Sequence, residues 1–286
     1  MRTGENPSRT AHSVTHTAVG AIDRCELNGD PATADDLRAL ALTNYGHFTS
    51  MQVDDGGVRG LDLHLARLDA STRELFVCPL DGDLVRAYMR SALSGLDGPV
   101  SLRVNVFSRR LRRDRMAEPA APDVVVSVAA PRRIEATPVR IKSFRYERVL
   151  PHVKHVGTFG LFHHRRLAEL DGFDDALFVD ASGAVSEASI WNIGFFDGSG
   201  IVWPDAPALR GVSMQLLQKG LRERGVASDS HRVAHADIGA FRSAFLTNCS
   251  CAVRPIAEID GVRFAVDAEL NAMLDRCYAS NARQAI

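Results

Sequence analysis

Apolar and polar residues alternate from Phe48 to Val53, which is the pattern of a strand with one buried face. The "DDGG" that follows predicts a turn. The leucines between Leu61 and Leu75 then fall on one helical face, so we predict a helix that begins near Asp62.

The same periods predict the remaining elements. In the first half these are a helix over "LVRAYMRSAL" (84–93) and strands over "VSLRVNVFS" (100–108), "DVVVSVAA" (123–130) and "TPVRIKSF" (137–144). In the second half they are a helix from near Leu161 to Asp171-Gly172, three strands joined by turns within 175–204, a helix over Ser213–Arg224, a strand over 244–248 and a helix over 268–280. The unbroken β-branched run at 123–130 predicts a buried central strand. Order is expected to begin near Ala21, and the mixture without regular β-α-β alternation predicts an α/β fold of the mixed α+β kind.

Composition narrows the class of protein. The chain has 286 residues, 45% hydrophobic and 24% charged, with a net charge of −1, so nothing global favours a nucleic-acid or membrane partner. Five scattered cysteines predict a reducing, cytoplasmic setting without a disulfide framework, and Cys249 and Cys251 lack the further ligands that zinc requires. The first 22 residues lack an apolar signal core and are expected to form a flexible tail.

Several residues have an ordinary interpretation when they are taken singly. An isolated lysine such as Lys154 is usually solvated, and the pair His163-His164 is typical of one exposed and one packed side chain. The basic run from Arg109 to Arg115 indicates a solvated loop or a source of cations for an anionic substrate. Trp191 and Trp203 would either narrow a pocket or pack in the core.

Four motifs in order change this picture. They are "HLARL" (64–68), "KHVGTFG" (154–160), "GFDDALFVDASGAVSEASIWNIGF" (172–195) and "LRGVSM" (209–214), and "LTNCSCAVRPI" (246–256) is a weaker fifth. From Tyr45 to Ile256 the chain resembles the fold-type IV pyridoxal phosphate enzymes, which include the branched-chain and D-amino-acid aminotransferases and 4-amino-4-deoxychorismate lyase. The resemblance implies two domains with the cofactor in the cleft between them: a tail (1–22), a smaller N-terminal α/β domain (23–148) and a larger C-terminal cofactor-binding domain (149–286).

The resemblance also implies the cofactor site. Lys154 would form a Schiff base with pyridoxal 5'-phosphate and move the substrate Cα proton, for which its amine must be neutral. Glu187 would keep the pyridine nitrogen protonated. The phosphate would be held by a guanidinium, the start of a helix and a late loop: Arg67, Gly211, Val212, Ser213, Asn248 and Cys249. Taken alone, Arg67 could be a surface arginine and Ser213 an ordinary helix cap.

The function implied is amino-group transfer between an amino acid or amine and a 2-oxo acid, by a homodimer without a metal. The alternatives are a lyase that releases pyruvate from aminodeoxychorismate and a protein that binds the cofactor or a partner without catalysis. The "FTS" and "TNC" segments favour the lyase. Phe159 stands where branched-chain enzymes carry a tyrosine, and "SRR" (108–110) removes the usual carboxylate-binding arginine.

Overall fold

The computed structural model of the chain describes residues 24–132 and 134–286, so the predicted tail and the predicted start of order near Ala21 lie outside the described residues. The first half forms a five-stranded antiparallel sheet with the strand order β2-β1-β6-β5-β3. Its elements are β1 (Arg24–Leu27), β2 (Asp30–Pro31), α1 (Ala34–Thr43), β3 (His47–Val53), β4 (Gly57–Arg59), α2 (Leu61–Phe76), α3 (Gly82–Leu93), β5 (Val100–Phe107) and β6 (Asp123–Ala129). The β-branched run thus lies at the centre of the sheet, as predicted.

Strand alternation gives this sheet two different faces. Leu102 of β5 and Val126 of β6 lie on the face that packs against Leu68 of α2 and Met89 of α3, and all four are buried. Phe48 of β3 and its cross-strand partner on β5 therefore point to the opposite face, which the two helices leave free. This second face is available to the rest of the chain.

The second half curls around a larger mixed sheet with the main strand order β12-β11-β10-β13-β14-β7-β8-β9, and β15 pairs with β14. Its elements are β7 (Val139–Arg145), α4 (Phe159–Leu170), β8 (Asp175–Val179), β9 (Val185–Ala188), β10 (Asn192–Phe196), β11 (Ile201–Pro204), α5 (Val212–Glu223), β12 (Ser228–His231), a 3-10 helix (His235–Ala240), β13 (Ser243–Asn248), β14 (Cys251–Ile259), β15 (Val262–Arg263), α6 (Ala268–Ala279) and β16 (Arg283–Ala285). The mixed α/β fold agrees with the sequence-based expectation. The predicted division into two domains at 148/149 stays a prediction. Strand β7, which precedes that position in the chain, belongs to the second sheet.

The segment 175–204 contains four strands, so the prediction of three was wrong. The additional reversal falls between β9 and β10, where the Ala188 N–H donates to the Trp191 carbonyl at 2.9 Å. No glycine or proline marks this turn. Instead, the buried Asp175 carboxylate accepts from the Ser189 hydroxyl and, at 3.0 Å, from the Trp191 indole N–H. A tertiary contact therefore fixes a turn that the local pattern does not show.

Backbone hydrogen bonds join the halves of the chain. The Phe48 N–H donates to the Lys154 carbonyl at 2.9 Å, and the Val156 N–H donates to the Gly46 carbonyl at 2.9 Å, so the Lys154 segment lies along β3. The C-terminal strand β16 pairs with β4 in an antiparallel manner. Among the described residues, no helix combines the length and the apolar character needed to cross a membrane, and no cluster of metal-ligating side chains occurs.

The contact between α5 and α6 depends on a glycine. A Cβ built on Gly220 would lie 2.0 Å from the backbone oxygen of Cys277. Alanine normally favours a helix over glycine by about 1 kcal/mol, but overpacking costs about 1–3 kcal/mol and rigid backbone cannot move aside cheaply.

We therefore expect Gly220→Ala to lower the free energy of unfolding in urea by about 1 kcal/mol or more. Lys219→Ala, at an exposed position of the same helix, is the control and should stay within about 0.5 kcal/mol of the unchanged chain. An unfolding midpoint for Gly220→Ala at or above that of the unchanged chain would contradict the close approach of the two helices.

Candidate active site

Lys154 lies in the segment that joins the two sheets. Its carbonyl oxygen is bonded to β3, as described above, and its neighbour His155 bridges to His47. The side chain passes the ring of Phe48, with Nζ 4.9 Å from the ring centroid. Nζ makes no hydrogen bond to any residue that the structure describes, so the amine is free to react.

The surroundings of Lys154 favour the neutral amine. Burial, together with the nearby cations of Arg67 and Arg148, lowers the pKa of Lys154 to about 8. Removing an ammonium ion from water disfavours its charged form, and neighbouring cations act in the same direction. With this pKa, about a tenth of Lys154 is unprotonated at pH 7 and about half at pH 8, and the unprotonated amine is the form that a nucleophile or proton acceptor needs.

Glu187 lies on β9 and is buried, with 6% of its surface exposed. Arg148 Nη1 donates to Glu187 Oε1 at 3.1 Å, and the Leu209 N–H donates to Oε2 at 3.2 Å. Burial raises the pKa of Glu187, while Arg148 opposes that change. The carboxylate stays charged in this pair, because the arginine in direct contact with it cannot release its own proton. The carboxylate keeps free lone pairs for one further donor.

Arg148 also ties this carboxylate to the lysine segment. Its Nη2 donates to the Val153 carbonyl at 2.8 Å, one residue before Lys154. The sequence analysis did not identify Arg148, because an arginine in "RYERVL" carries no motif and its buried position follows only from the fold.

Arg67 lies on α2 and is partly buried, so it is not the exposed helix arginine that the sequence also allowed. Its Nη2 donates to the Thr49 hydroxyl at 2.7 Å, while its Nε is buried without a partner among the described residues. Burial lowers the pKa of Arg67 to about 10, which still leaves it charged at neutral pH. A charged, partly unsatisfied guanidinium inside the protein requires an anion.

The start of α5 supplies further donors. Gly211 is the N-cap residue of α5 and has no side chain, and a Cβ there would lie 2.0 Å from the Asn192 amide oxygen. Asn192 Nδ2 donates to the Leu209 carbonyl at 2.7 Å, which fixes the approach to the helix. Val212 and the buried Ser213 begin the helix, and Ser213 makes no cap bond to the helix backbone.

Asn248 and Cys249 lie in the turn between β13 and β14. The Asn248 side chain holds this turn: its Oδ1 accepts from the N–H groups of Ser250, at 2.8 Å, and Cys251, at 3.1 Å. Its Nδ2 donates to the Ile190 carbonyl at 3.4 Å. These contacts place Cys249 in the wall of a cavity of about 190 Å³ that also contacts Val212, Ser213 and His64. The predicted cofactor contacts of Asn248 and Cys249 stay predictions.

Arg103 is a second cation that the sequence analysis missed. Its guanidinium carbon lies 3.7 Å from the centroid of the Phe48 ring, the ring that Lys154 also passes. Arg103 Nε donates to Asn105 Oδ1 at 2.9 Å, and no carboxylate of the described residues pairs with the guanidinium. The alternation of "LRVN" puts Arg103 on the open face of the sheet, but only the fold brings Arg103 and Lys154 to the same aromatic ring.

The other candidates have structural positions. Trp191 and Trp203 are buried in two hydrophobic clusters, which agrees with the core interpretation. His163 is exposed and His164 half-buried. The run from Arg109 to Arg115 forms a surface loop whose arginines contact nearby acids and backbone carbonyls. Phe159 is 80% exposed, so it does not occupy the cleft in this chain.

The donors at one end of the cleft fit a phosphate monoester. Arg67 has an unpartnered buried Nε, and the start of α5 offers free N–H groups and the Ser213 hydroxyl. At the other end, Lys154 offers a free amine and Glu187 an ion-paired carboxylate with unused lone pairs. The residues therefore suit an elongated ligand with an anionic end, an electrophilic carbon and a basic nitrogen.

Comparison with known proteins places the chain in a family. Residues 46–259 match the family described as "Amino-transferase class IV". No curated protein sequence matches the chain. Because the family match spans more than half of the chain, this protein belongs to the class IV aminotransferases.

Solved structures share its fold. A branched-chain aminotransferase from Thermoproteus uzoniensis, solved with norvaline, superposes with a TM-score of 0.77 at 16% identity, covering 89% of this chain and 93% of that one. A hypothetical aminotransferase from Mycobacterium tuberculosis in its PLP-bound form gives 0.72 at 22% identity, covering 87% and 93%. A Legionella pneumophila protein provisionally named a 4-amino-4-deoxychorismate lyase gives 0.74 at 19% identity, covering 85% and 93%. At these identities the likeness shows the fold.

The lowered pKa of Lys154 can be measured directly, since the chain contains only three lysines, Lys142, Lys154 and Lys219. We expect the labelling rate of Lys154 by an amine-reactive acylating reagent in the ligand-free protein to be half-maximal near pH 8. Peptide mass spectrometry follows each lysine separately, and Lys142 and Lys219 serve as internal controls. A Lys154 midpoint above about pH 10, the range of an ordinary lysine, would contradict the cation-rich setting.

Proposed function

We propose that this chain transfers amino groups between an amino acid or amine and a 2-oxo acid, with pyridoxal 5'-phosphate as its cofactor. The observation that carries the proposal is Lys154, a free amine of lowered pKa near the partly buried Arg67, the buried Arg148 and the ion-paired Glu187. Membership of the class IV aminotransferases supports the reaction class. The Mycobacterium tuberculosis structure of the same fold carries PLP, which supports the cofactor.

Different residues of the chain would bind different parts of this cofactor. Arg67, the N–H groups at Gly211 and Val212, and the Ser213 hydroxyl would hold the phosphate. Cys249 and the turn shaped by Asn248 would close the same end of the cavity. Glu187 would hold a proton at the pyridine nitrogen, and its ion pair with Arg148 keeps it charged for that task.

When bound, pyridoxal phosphate supplies an aldehyde that bonds to amines and a ring that accepts electrons from the substrate. Lys154 would bind at that aldehyde before the substrate arrives and would then move the proton at the substrate Cα. Burial and the positive charge of Arg67 and Arg148 lower the pKa of the released lysine amine, which makes its neutral, basic form accessible. Phe48, packed beside Nζ, shields this amine from water.

Arg103 is our candidate for substrate recognition. Its guanidinium lies over the same ring as Lys154, has no carboxylate partner among the described residues, and lies on the face of the sheet that the helices leave open. A guanidinium binds a carboxylate through two parallel hydrogen bonds. We therefore propose that Arg103 binds a carboxylate of the amino acid and of the 2-oxo acid. It would replace the arginine that "SRR" removes.

The proposed assembly is a cytoplasmic homodimer. Val149, Leu150, Phe159 and Phe162 are apolar residues close to Lys154 in sequence, with exposed fractions of 77%, 40%, 80% and 52%. Apolar surface of this kind around a site favours cover by another chain. Five unpaired cysteines support a reducing compartment.

The first test distinguishes transfer from elimination. Protein loaded with pyridoxal phosphate and given an amino acid, without any 2-oxo acid, should release about one equivalent of product 2-oxo acid per chain and then stop. Adding a second 2-oxo acid should restart the reaction, because an amino group must leave the enzyme before the next cycle. Borohydride reduction and peptide mapping of the loaded protein should place the cofactor on Lys154.

Lys154→Ala should release no product, whereas Lys142→Ala and Lys219→Ala should behave as the unchanged chain does. Continuous release of pyruvate from aminodeoxychorismate, combined with no release from any donor in a broad panel, would replace aminotransfer by the lyase function. An adduct on Lys142 or Lys219 would remove Lys154 from its proposed role.

The second test addresses Arg103. Arg103→Met should lower kcat/KM for phenylalanine by about 10- to 100-fold, the loss expected for a hydrogen bond to a charged group. The value for 2-phenylethylamine, which lacks only the carboxylate, should change by less than about 2-fold. Arg110→Met, in the surface loop, is the matched control and should affect neither substrate. Equal losses for both substrates would show that Arg103 does not bind the carboxylate.

A further inference from the structure

A buried polar chain lies beneath the anion-binding end of the cleft. Thr49 of β3 is fully buried, and its hydroxyl oxygen lies 2.7 Å from Arg67 Nη2 and 2.6 Å from His64 Nδ1. His64 is also buried, with 3% of its surface exposed. One threonine hydroxyl therefore connects the first and fourth residues of the "HLARL" motif.

The protons of this chain can be assigned from the donor rules. A guanidinium only donates, so the Thr49 oxygen accepts from Arg67. The hydroxyl has a single proton, and its other partner among the described residues is His64 Nδ1, so we assign that proton to the bond with Nδ1. Burial and the nearby Arg67 and Lys154 lower the pKa of His64 well below its usual value, so the ring is neutral. A neutral imidazole whose Nδ1 accepts must carry its proton on Nε2.

The resulting Nε2–H group is free to bind a ligand. It makes no hydrogen bond to the described residues, and His64 lines the same cavity as Ser213 and Cys249. The cavity wall therefore offers one further neutral donor, next to Ser213 and Cys249. An anion there would receive a hydrogen bond from His64, while Arg67, which is bonded to the same threonine, would supply positive charge nearby.

We propose that Thr49 is a positioning residue for Arg67, and that His64 is a further anion-binding residue that donates through Nε2–H. The proposal rests on the proposed function for the identity of the anion, a phosphate monoester. The Thr49 hydroxyl accepts from one guanidinium nitrogen, which fixes the direction of Arg67, and it donates a hydrogen bond to His64 Nδ1. The three side chains act as one unit.

The neighbouring pair His47 and Thr72 supplies a matched comparison. His47 Nε2 lies 2.9 Å from the Thr72 hydroxyl, and both residues are buried between β3 and α2, as Thr49 and His64 are. The Thr72 hydroxyl donates to the Leu68 carbonyl at 2.8 Å and does not contact Arg67. Removing the Thr72 hydroxyl disturbs the same core without touching the proposed unit.

The experiment measures binding to the ligand-free protein. Thr49→Val should weaken pyridoxal phosphate about 10-fold while leaving the affinity for pyridoxal, which lacks the phosphate, within about 2-fold. Thr49→Ser keeps the hydroxyl and should restore the wild-type ratio of the two affinities. Thr72→Val should lower stability and leave that ratio unchanged. The affinities of these variants for inorganic phosphate, titrated alone, should fall in the same order as their affinities for pyridoxal phosphate.

A second measurement does not depend on the cofactor. The ¹⁵N chemical shifts of the His64 ring in the unchanged, ligand-free protein should report the Nε2–H tautomer. An Nδ1–H or doubly protonated ring would overturn the proton assignment. An unchanged affinity ratio in Thr49→Val, or an equal fall in Thr72→Val, would overturn the positioning role. The proposed function would instead be contradicted if the unchanged protein failed to bind pyridoxal phosphate while the Nε2–H tautomer and the expected order of inorganic phosphate affinities were both observed.

Discussion

The relative position of Lys154 and Glu187 depends on one buried guanidinium, that of Arg148. Arg148 donates to the carboxylate of Glu187 and to the carbonyl of Val153, so one side chain ties β9 to the segment that carries Lys154. Both contacts lie in the interior, where water cannot replace a lost partner. Removing one member of a buried ion pair costs about 3–5 kcal/mol. The Arg148 contacts therefore have a structural and an electrostatic consequence at once.

The electrostatic consequence is an excess of positive charge. Arg67 and Arg148 surround Lys154, and Glu187 is the acid in contact with this group. Burial and this repulsion together favour the loss of a proton from Lys154 and lower its pKa to about 8. A phosphate beside Arg67 would relieve the remainder. Ligand binding and lysine basicity are thus coupled: a bound dianion would favour the protonated lysine, unless the amine is already bonded to the ligand.

The sequence predicted the parts of this site that depend on local signals. The strand at Phe48, the helix that carries Arg67 and the helix that begins at Val212 follow from apolar periods and a glycine before a helix. Arg148 and Arg103 could not be predicted in the same way, because an arginine has the same local pattern whether it is solvated or buried. The turn after β9 was missed for a related reason: the carboxylate of Asp175 fixes it from another strand. Strand β14 was missed because Pro255 lies within it, and proline usually argues against a central strand.

The two ends of the cleft are built by different means, and this affects what each can tolerate. At the phosphate end, Arg67 is fixed by Thr49 from a neighbouring strand, and the helix start is fixed by Asn192, so the arginine and the helix start have separate supports. At the reactive end, Lys154 and Glu187 share Arg148, so a change at one reaches the other. Substitutions at the phosphate end should therefore alter affinity in small, separable steps. Substitutions around Arg148 should alter geometry, charge and proton transfer together, because a single side chain sets all three.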